Sequence, residues 1–267
     1  MYRQFYGLSA PVFDKALPPE KFHRGKAFTE ALARLEYSVQ TREIMALVGE
    51  IGTGKTSLVR ALREKLADGK HKLAYVGNPT TKARGVLSTA AYQLGLEVGF
   101  SLPRILRELT RHLTELKQRG HAAVIVFDDI QLADFALTET LRMLTSHELD
   151  SQTLVSIVLI GHDSFLDRLK LSAYQSLNQR IGVRYRLTPL DLPETLAYID
   201  HHLKIAGATH RIFEDEALET IYHAAKGVLR KINLLCIHAL LAGAAEGRKV
   251  IGPGIIKRVL NDFDGTF

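Results

Sequence analysis

The chain has 267 residues, 46% of them apolar, and a net charge of +6, enough for one large domain or two modest ones around a real core. No apolar run reaches the roughly 18 residues that a membrane span needs, and the polar, aromatic N-terminus lacks the apolar centre of a signal peptide. A single cysteine, Cys236, excludes an intrachain disulfide and fits a reducing, cytoplasmic setting.

Residues 1–25 carry Tyr2, Phe5, Tyr6, Phe13 and Phe22. Disordered segments are poor in aromatics, so this lead-in is expected to be ordered and to pack on the domain. Lys26 to Gln40 reads as a helix with Phe28, Leu32, Leu35 and Val39 on one face. Five apolar runs then alternate with helical patterns, at 43–48, 73–78, 122–128, 154–161 and 183–188. Near-continuous apolar strands separated by helices imply a parallel sheet covered on both faces. The run at 122–128 is expected to be the most buried, and the weaker run at 183–188 suits an edge.

Between the second and third runs lies a helix. Ser101 caps it, Pro103 fits its first turn and Gly120 ends it. Leu102, Ile105, Leu106, Leu109, Leu113 and Leu116 form its buried stripe, while Arg104, Arg107 and Arg111 share another face. After Leu190 the strand signals stop. Asp191 caps a helix with Leu196, Ile199 and Leu203 inward, closing at Gly207; a second, with Leu218, Ile221 and Tyr222 inward, closes at Gly227. Two more cover Leu229 to Glu246 and Gly254 to Asn261. The predicted fold is α/β: a five-stranded parallel sheet flanked by helices over residues 1–190, then a small all-helical domain over 191–267.

The stretch Gly49-Glu50-Ile51-Gly52-Thr53-Gly54-Lys55-Thr56 has the phosphate-loop pattern G-x-x-x-x-G-K-T. Its glycines let the backbone wrap closely, so that N–H groups point at phosphate oxygens. The apolar run 43–48 before it and the helical pattern from Ser57 after it are the strand and helix the motif needs, and a helix N-terminus favours phosphate. Gly49, Gly52, Thr53, Gly54, Lys55, Thr56 and Ser57 are the candidate ATP-binding residues. Lys55 reaches the β- and γ-phosphates, and the Thr56 hydroxyl is a ligand for Mg²⁺. A buried run ends in Phe127-Asp128-Asp129. In a phosphate-loop enzyme an Asp at this place holds Mg²⁺, usually through water, which assigns that role to Asp128. Asp129 then orients the attacking water. Many such ATPases carry Glu there, and Asp is one methylene shorter, so slow hydrolysis is expected.

The charge is unevenly spread. Residues 60–119 hold 12 Lys/Arg against 5 Asp/Glu, while residues 191–267 hold 9 against 10. A local surplus of this kind is the electrostatic footprint of a polyanion site; a well-solvated face on long helices would give the same count. His201 and His202 are adjacent on a helix and face different ways, which argues against a metal pair. Cys236 sits in an apolar run and reads as a small core residue.

In this order, Gly49–Thr56, Asp128-Asp129, Gly161-His162, Arg180 and Gly227-x-x-Arg230 resemble an AAA+ ATPase along nearly the whole chain. Within AAA+, Tyr6-Gly7-Leu8 with Pro11 and Phe13, Asn78-Pro79, Leu177-x-x-Arg180-Ile181 and Gly227-x-x-Arg230-x-Ile232-Asn233 resemble the group of ExeA-type secretion ATPases and transposon ATPases such as TniB, TnsC and MuB. The resemblance implies a phosphate-loop sheet followed by a helical lid. It makes His162 the sensor of the γ-phosphate and Arg180 the arginine finger acting in a neighbouring subunit, with Arg184 as backup. Arg230 is implied to be the lid arginine. It places DNA contacts on Thr80, Thr81, Lys82 and Arg84, and on Arg104, Arg107 and Arg111. The implied function is ATP-dependent assembly on duplex DNA, as a ring or helical filament, to recruit or license a transposase. A secretion ATPase of the ExeA kind is the alternative; those proteins typically continue into a membrane span and a cell-wall-binding region, and the sequence stops at Phe267. A structural adaptor locked by nucleotide, with negligible turnover, is a third.

Overall fold

The computed structural model describes residues 2–145 and 153–263. In chain order it forms α1 (Tyr2–Tyr6), α2 (Lys26–Thr41), β1 (Ile44–Val48), α3 (Lys55–Lys65), β2 (His71–Val76), α4 (Ala83–Gln93) and α5 (Leu102–Gln118). Then come β3 (Ala122–Phe127), α6 (Phe135–Leu144), β4 (Val155–Gly161), α7 (Ser164–Leu169), α8 (Gln175–Arg180) and β5 (Ile181–Arg186). The chain ends in α9 (Leu192–Ile205), α10 (Asp215–Ala225), α11 (Leu229–Ala245) and α12 (Pro253–Asp262).

These elements form two compact units. One comprises residues 27–49 and 55–187. Its five strands pair in the order β2-β3-β4-β1-β5, and every pairing is parallel. Apolar side chains point to both faces of the central strands, so both faces must be covered by helices. Every residue of β1 and β4 is buried. β3, expected to be the most buried, is half-open at Ala122 where it enters the sheet. Ile125, Phe127, Ile157 and Leu159 meet Leu87, Ile105, Leu109 and Leu137 in one core. Burying each such side chain contributes about 1.5–3 kcal/mol.

β2 and β5 both begin earlier than their apolar runs. His71 and Lys72 pair with Ala122 and Ala123, and Ile181 pairs with Ile44. The His71-Lys72 end of β2 is polar and carries no apolar signal, and in β5 the exposed Gly182 separates Ile181 from the run that follows. β5 does take an edge. In α5, Pro103 lies in the first turn, but the Ser101 side chain makes no capping hydrogen bond. The predicted stripe is inward, with Ile105, Leu109, Leu113 and Leu116 buried.

The second unit comprises residues 1–26, 50–54 and 188–267. Its core joins α9–α12 through Ile199, Phe213, Ile221, Leu235, Cys236 and Ile256. The lead-in belongs to this core, not to the sheet as the predicted boundaries had it. Tyr6, Leu8, Val12 and Phe13 are buried there. The Tyr6 hydroxyl donates to the Arg248 carbonyl at 3.0 Å, and Phe13 stacks on Tyr198 at 5.8 Å. Aromatics this large need a deep apolar partner, and the gaps among four short helices provide it. Asp191 caps α9 by accepting the Glu194 N–H at 2.8 Å, and Glu194 returns a bond to the Asp191 N–H. Such a box contributes about 1 kcal/mol. Leu196, predicted inward on α9, is only half-buried. Cys236 is fully buried and burial pushes its thiol up, so it is a poor nucleophile.

Candidate nucleotide site

β1 runs into Gly49 and α3 begins at Lys55. Gly49 is buried, and a side chain there would place its Cβ 2.5 Å from the Leu187 carbonyl oxygen. Gly52 has a φ of +91°, a left-handed backbone that favours glycine. Thr53 is buried, its hydroxyl donating to the Glu50 carbonyl at 2.9 Å. The Lys55 ammonium donates to the Gly49 carbonyl at 2.7 Å, folded back against the loop. Thr56 and Ser57 follow in the first turn of α3, where backbone N–H groups have no partner within the helix.

β3 delivers the carboxylates. Asp128 is buried. Its Oδ2 accepts the Tyr75 hydroxyl at 2.7 Å and lies 3.5 Å from the Thr56 hydroxyl. Its Oδ1 accepts the Asp129 N–H at 2.9 Å. Burial, then the bond to Asp128 and the charges of Asp128 and Asp129, push the Tyr75 phenol well above its usual value. Thr56 and Asp128, expected to share Mg²⁺, are thus brought together by α3 and β3. A hydroxyl beside a carboxylate is the hard-oxygen pair this ion takes, so the donor set fits it.

Asp129 stands in the left-handed region at φ 54°, ψ 39°. Residues held there cluster at functional sites. One side-chain bond reaches Asp129 directly, and three more hold the turn that carries it. Gln131 Nε2 donates to Asp129 Oδ1 at 3.0 Å. Gln131 Oε1 accepts the His162 N–H at 3.0 Å. Arg168 donates to the Gln131 and Ala133 carbonyls at 2.7 and 2.8 Å, pinning the turn. Gly161 makes room, because a Cβ there would sit 2.7 Å from Gln131 Oε1. The His162 Nδ1 accepts the Ser164 N–H at 3.3 Å, which leaves Nε2 as the protonated nitrogen.

One end of the sheet gathers these groups. The strands are parallel, so Gly49, Asp128 and His162 all follow C-terminal strand ends, where open α/β sheets bind ligands. Arg180 is elsewhere. It precedes Ile181, which pairs with Ile44 at the start of β1. Five strand residues, about 16 Å, separate that level from the loop. Arg184 exposes its side chain and donates to the Asn178 carbonyl. Arg230 is exposed, and its N–H donates to the Gly52 carbonyl at 3.1 Å within the helical unit.

The predicted DNA-facing residues Thr80, Thr81, Lys82, Arg84, Arg104, Arg107 and Arg111 are all exposed. The first four leave the C-terminal end of β2, level with the phosphate loop. Arg84 donates to the Phe100 carbonyl at 3.3 Å, just before α5. Arg104 is bonded to Glu108 at 2.7 Å and Arg111 lies 4.0 Å from Glu115, so α5 offsets part of its own charge.

Residues 38–169 match a family model described as an AAA domain. Over these residues the chain is similar to an AAA domain, and its sheet has the AAA+ fold. It is 34% identical to General secretion pathway protein A of Aeromonas hydrophila over 99% of the chain. It spans about half, 49%, of that relative's length. The AAA+ fold recurs in Cdc6p of Pyrobaculum aerophilum, with a TM-score of 0.71 and 20% identity over 97% of this chain and 70% of that one. It recurs too in the Aeropyrum pernix ORC1 protein in complex with DNA, with a TM-score of 0.69 and 18% identity over 94% of this chain and 68% of that one. No described helix is long and apolar enough to cross a membrane.

Gln131, Arg168 and Tyr75 escaped the sequence reading. Gln131 lies two residues after the predicted water-orienting acid, and that spacing was its one available signal.

Proposed function

We propose that this AAA+ protein binds Mg·ATP on Gly49–Thr56, hydrolyses it, and uses the cycle to govern an assembly of its own copies on duplex DNA. The observation that carries the nucleotide reading is the meeting of Thr56 and Asp128 at 3.5 Å beside the loop lysine. In it, Gly52, Gly54 and Ser57 line the phosphates and Lys55 neutralises them, while Thr56 and Asp128 would hold Mg²⁺, which would spread their charge. Asp129 orients the water and His162 offers Nε2–H to the γ-phosphate. Arg180 acts in trans, because its own loop is at the other end of the sheet. Arg230 registers the nucleotide through its bond to Gly52.

The DNA reading is supported by the exposed cations that follow β2 at the loop's end of the sheet. Lys82 and Arg84 meet phosphates, and Thr80 and Thr81 set register, so binding is weakly sequence-specific and salt-sensitive. With the motifs that resemble transposon ATPases, this supports a transposase as the partner recruited or licensed. The 34% identity to a secretion-pathway protein along 99% of the chain favours a second reading, a secretion ATPase. The end at Phe267 does not count against it, since half of that relative lies outside the match. Negative-stain imaging with a slowly hydrolysed ATP analogue, with and without duplex DNA, separates the two. Rings or filaments that require DNA support the first, and assembly indifferent to DNA supports the second.

A further inference from the structure

We infer that Tyr75 is a positioning residue for the Asp128 carboxylate and that Gln93 sets Tyr75 in place. The inference rests on the proposed role of Asp128 in holding Mg²⁺.

On β2, Ala74 and Val76 are buried in the core, while Tyr75 faces the other way and is half-buried. It pairs with Val126, and the Asp128 N–H donates to the Val76 carbonyl at 2.9 Å. Tyr75 and Asp128 therefore share a face, with Gly77 beside the ring. A Cβ on Gly77 would lie 3.1 Å from Tyr75 Cε1. Because glycine stands there, the ring leans across and its hydroxyl reaches Asp128 Oδ2 at 2.7 Å. That bond is much shorter than the 3.5 Å contact of Thr56 to the same oxygen. A carboxylate offers about four acceptor positions. The Asp129 N–H holds Oδ1 and the Tyr75 hydroxyl holds Oδ2, so the plane of the group is fixed from both oxygens.

The clamp on Tyr75 comes from its backbone. β2 is an edge strand, whose outward N–H and C=O groups lack a strand partner. At Tyr75 both find one. Gln93, the last residue of α4, accepts the Tyr75 N–H with Oε1 and donates Nε2–H to the Tyr75 carbonyl, both at 2.7 Å. The side-chain amide stands in for the peptide of a further strand at this residue. Gln93 is exposed, so it adds nothing to the core. The one strand residue it grips is the one whose side chain reaches the metal carboxylate.

The test uses the full chain and a fluorescent, slowly hydrolysed ATP analogue, titrated with Mg²⁺ and also measured in EDTA. Tyr75→Phe keeps the ring and removes the hydroxyl. Its affinity in EDTA is expected within twofold of wild type, while its Mg²⁺ midpoint rises three- to tenfold. Gln93→Ala, on the surface, shifts the midpoint the same way by about twofold. The double variant shifts no further than Tyr75→Phe, because both act on one carboxylate. An unchanged midpoint in Tyr75→Phe, additive shifts in the double variant, or an EDTA affinity that falls in parallel would overturn the inference. No Mg²⁺ dependence in the wild type would overturn the reading of Asp128 and this inference with it.

Discussion

The backbone N–H of Arg230 donates to the carbonyl of Gly52 at 3.1 Å. The apex of the phosphate loop is thereby packed against the start of α11, within the same unit. A Cβ on Gly52 would lie 2.7 Å from the Arg230 Cβ, and the φ of +91° is unfavourable for any other residue. Gly52→Ala is expected to cost about 1–3 kcal/mol of stability, the range for a strained backbone. ATP affinity should fall at least tenfold. Equal affinity by fluorescence titration would show that the loop does not need this contact.

Gln131 ties Asp129 to the backbone of His162 through one amide. Asp129→Asn is expected to lower turnover about 100-fold, a typical general-base loss. Gln131→Leu should lower it about tenfold with ATP affinity unchanged. Asp129→Glu should raise it if the short side chain limits the wild type. Equal steady-state turnover for wild type and Asp129→Glu would show that the length of this side chain does not limit turnover.

Arg180 and the phosphate loop lie at opposite ends of the sheet, which makes a mixing experiment decisive. Lys55→Ala and Arg180→Ala should each lose at least ~100-fold in turnover, a modest loss for an arginine finger. Mixed, they should recover part of it, because a subunit with an intact loop can sit beside one with an intact arginine. No recovery in the mixture would remove Arg180 from that role.

His202 is buried against Phe13 and Tyr198, with ring centroids at 4.9 and 4.5 Å. Burial, followed by the charges of His201 and His23, lowers its pKa to about 4 from 6.5. Burial and His201 also lower the pKa of His23, with Glu194 opposing. A base whose folded pKa is depressed favours the neutral form when folded. Stability is therefore full above pH 6.5 and is lost as pH falls toward 4. Linkage puts the loss from His202 at about 2 kcal/mol by pH 5. Denaturant midpoints at pH 7.5 and pH 5 should show this, and His202→Gln should flatten the difference.

Much of the fold was legible because its signals are local. The runs around Ile44, Val124 and Ile157, the Asp191 cap and the stripe from Ile105 to Leu116 each declare themselves within a dozen residues. The lead-in was legible only in part. Tyr6 and Phe13 announce that they must be buried, but nothing near them says that α9 and α11 provide the place. At the site, the phosphate loop and Asp128 follow from a motif. Tyr75 and Arg168 do not, because their partners lie far along the chain, and Gln131 shows only its spacing from Asp129 and nothing of its bond to His162. A hydrogen bond from Tyr75 to Asp128 crosses 53 positions, and no periodicity reports it.

Nucleotide turnover and DNA binding are proposed to be coupled in this chain. Phosphate release from Mg·ATP, measured with and without duplex DNA at low salt, tests it most directly. The account predicts turnover that duplex DNA raises several-fold, that vanishes in Lys55→Ala, and whose stimulation fades in Lys82→Ala/Arg84→Ala. Turnover in the wild type that is identical with and without DNA would contradict it.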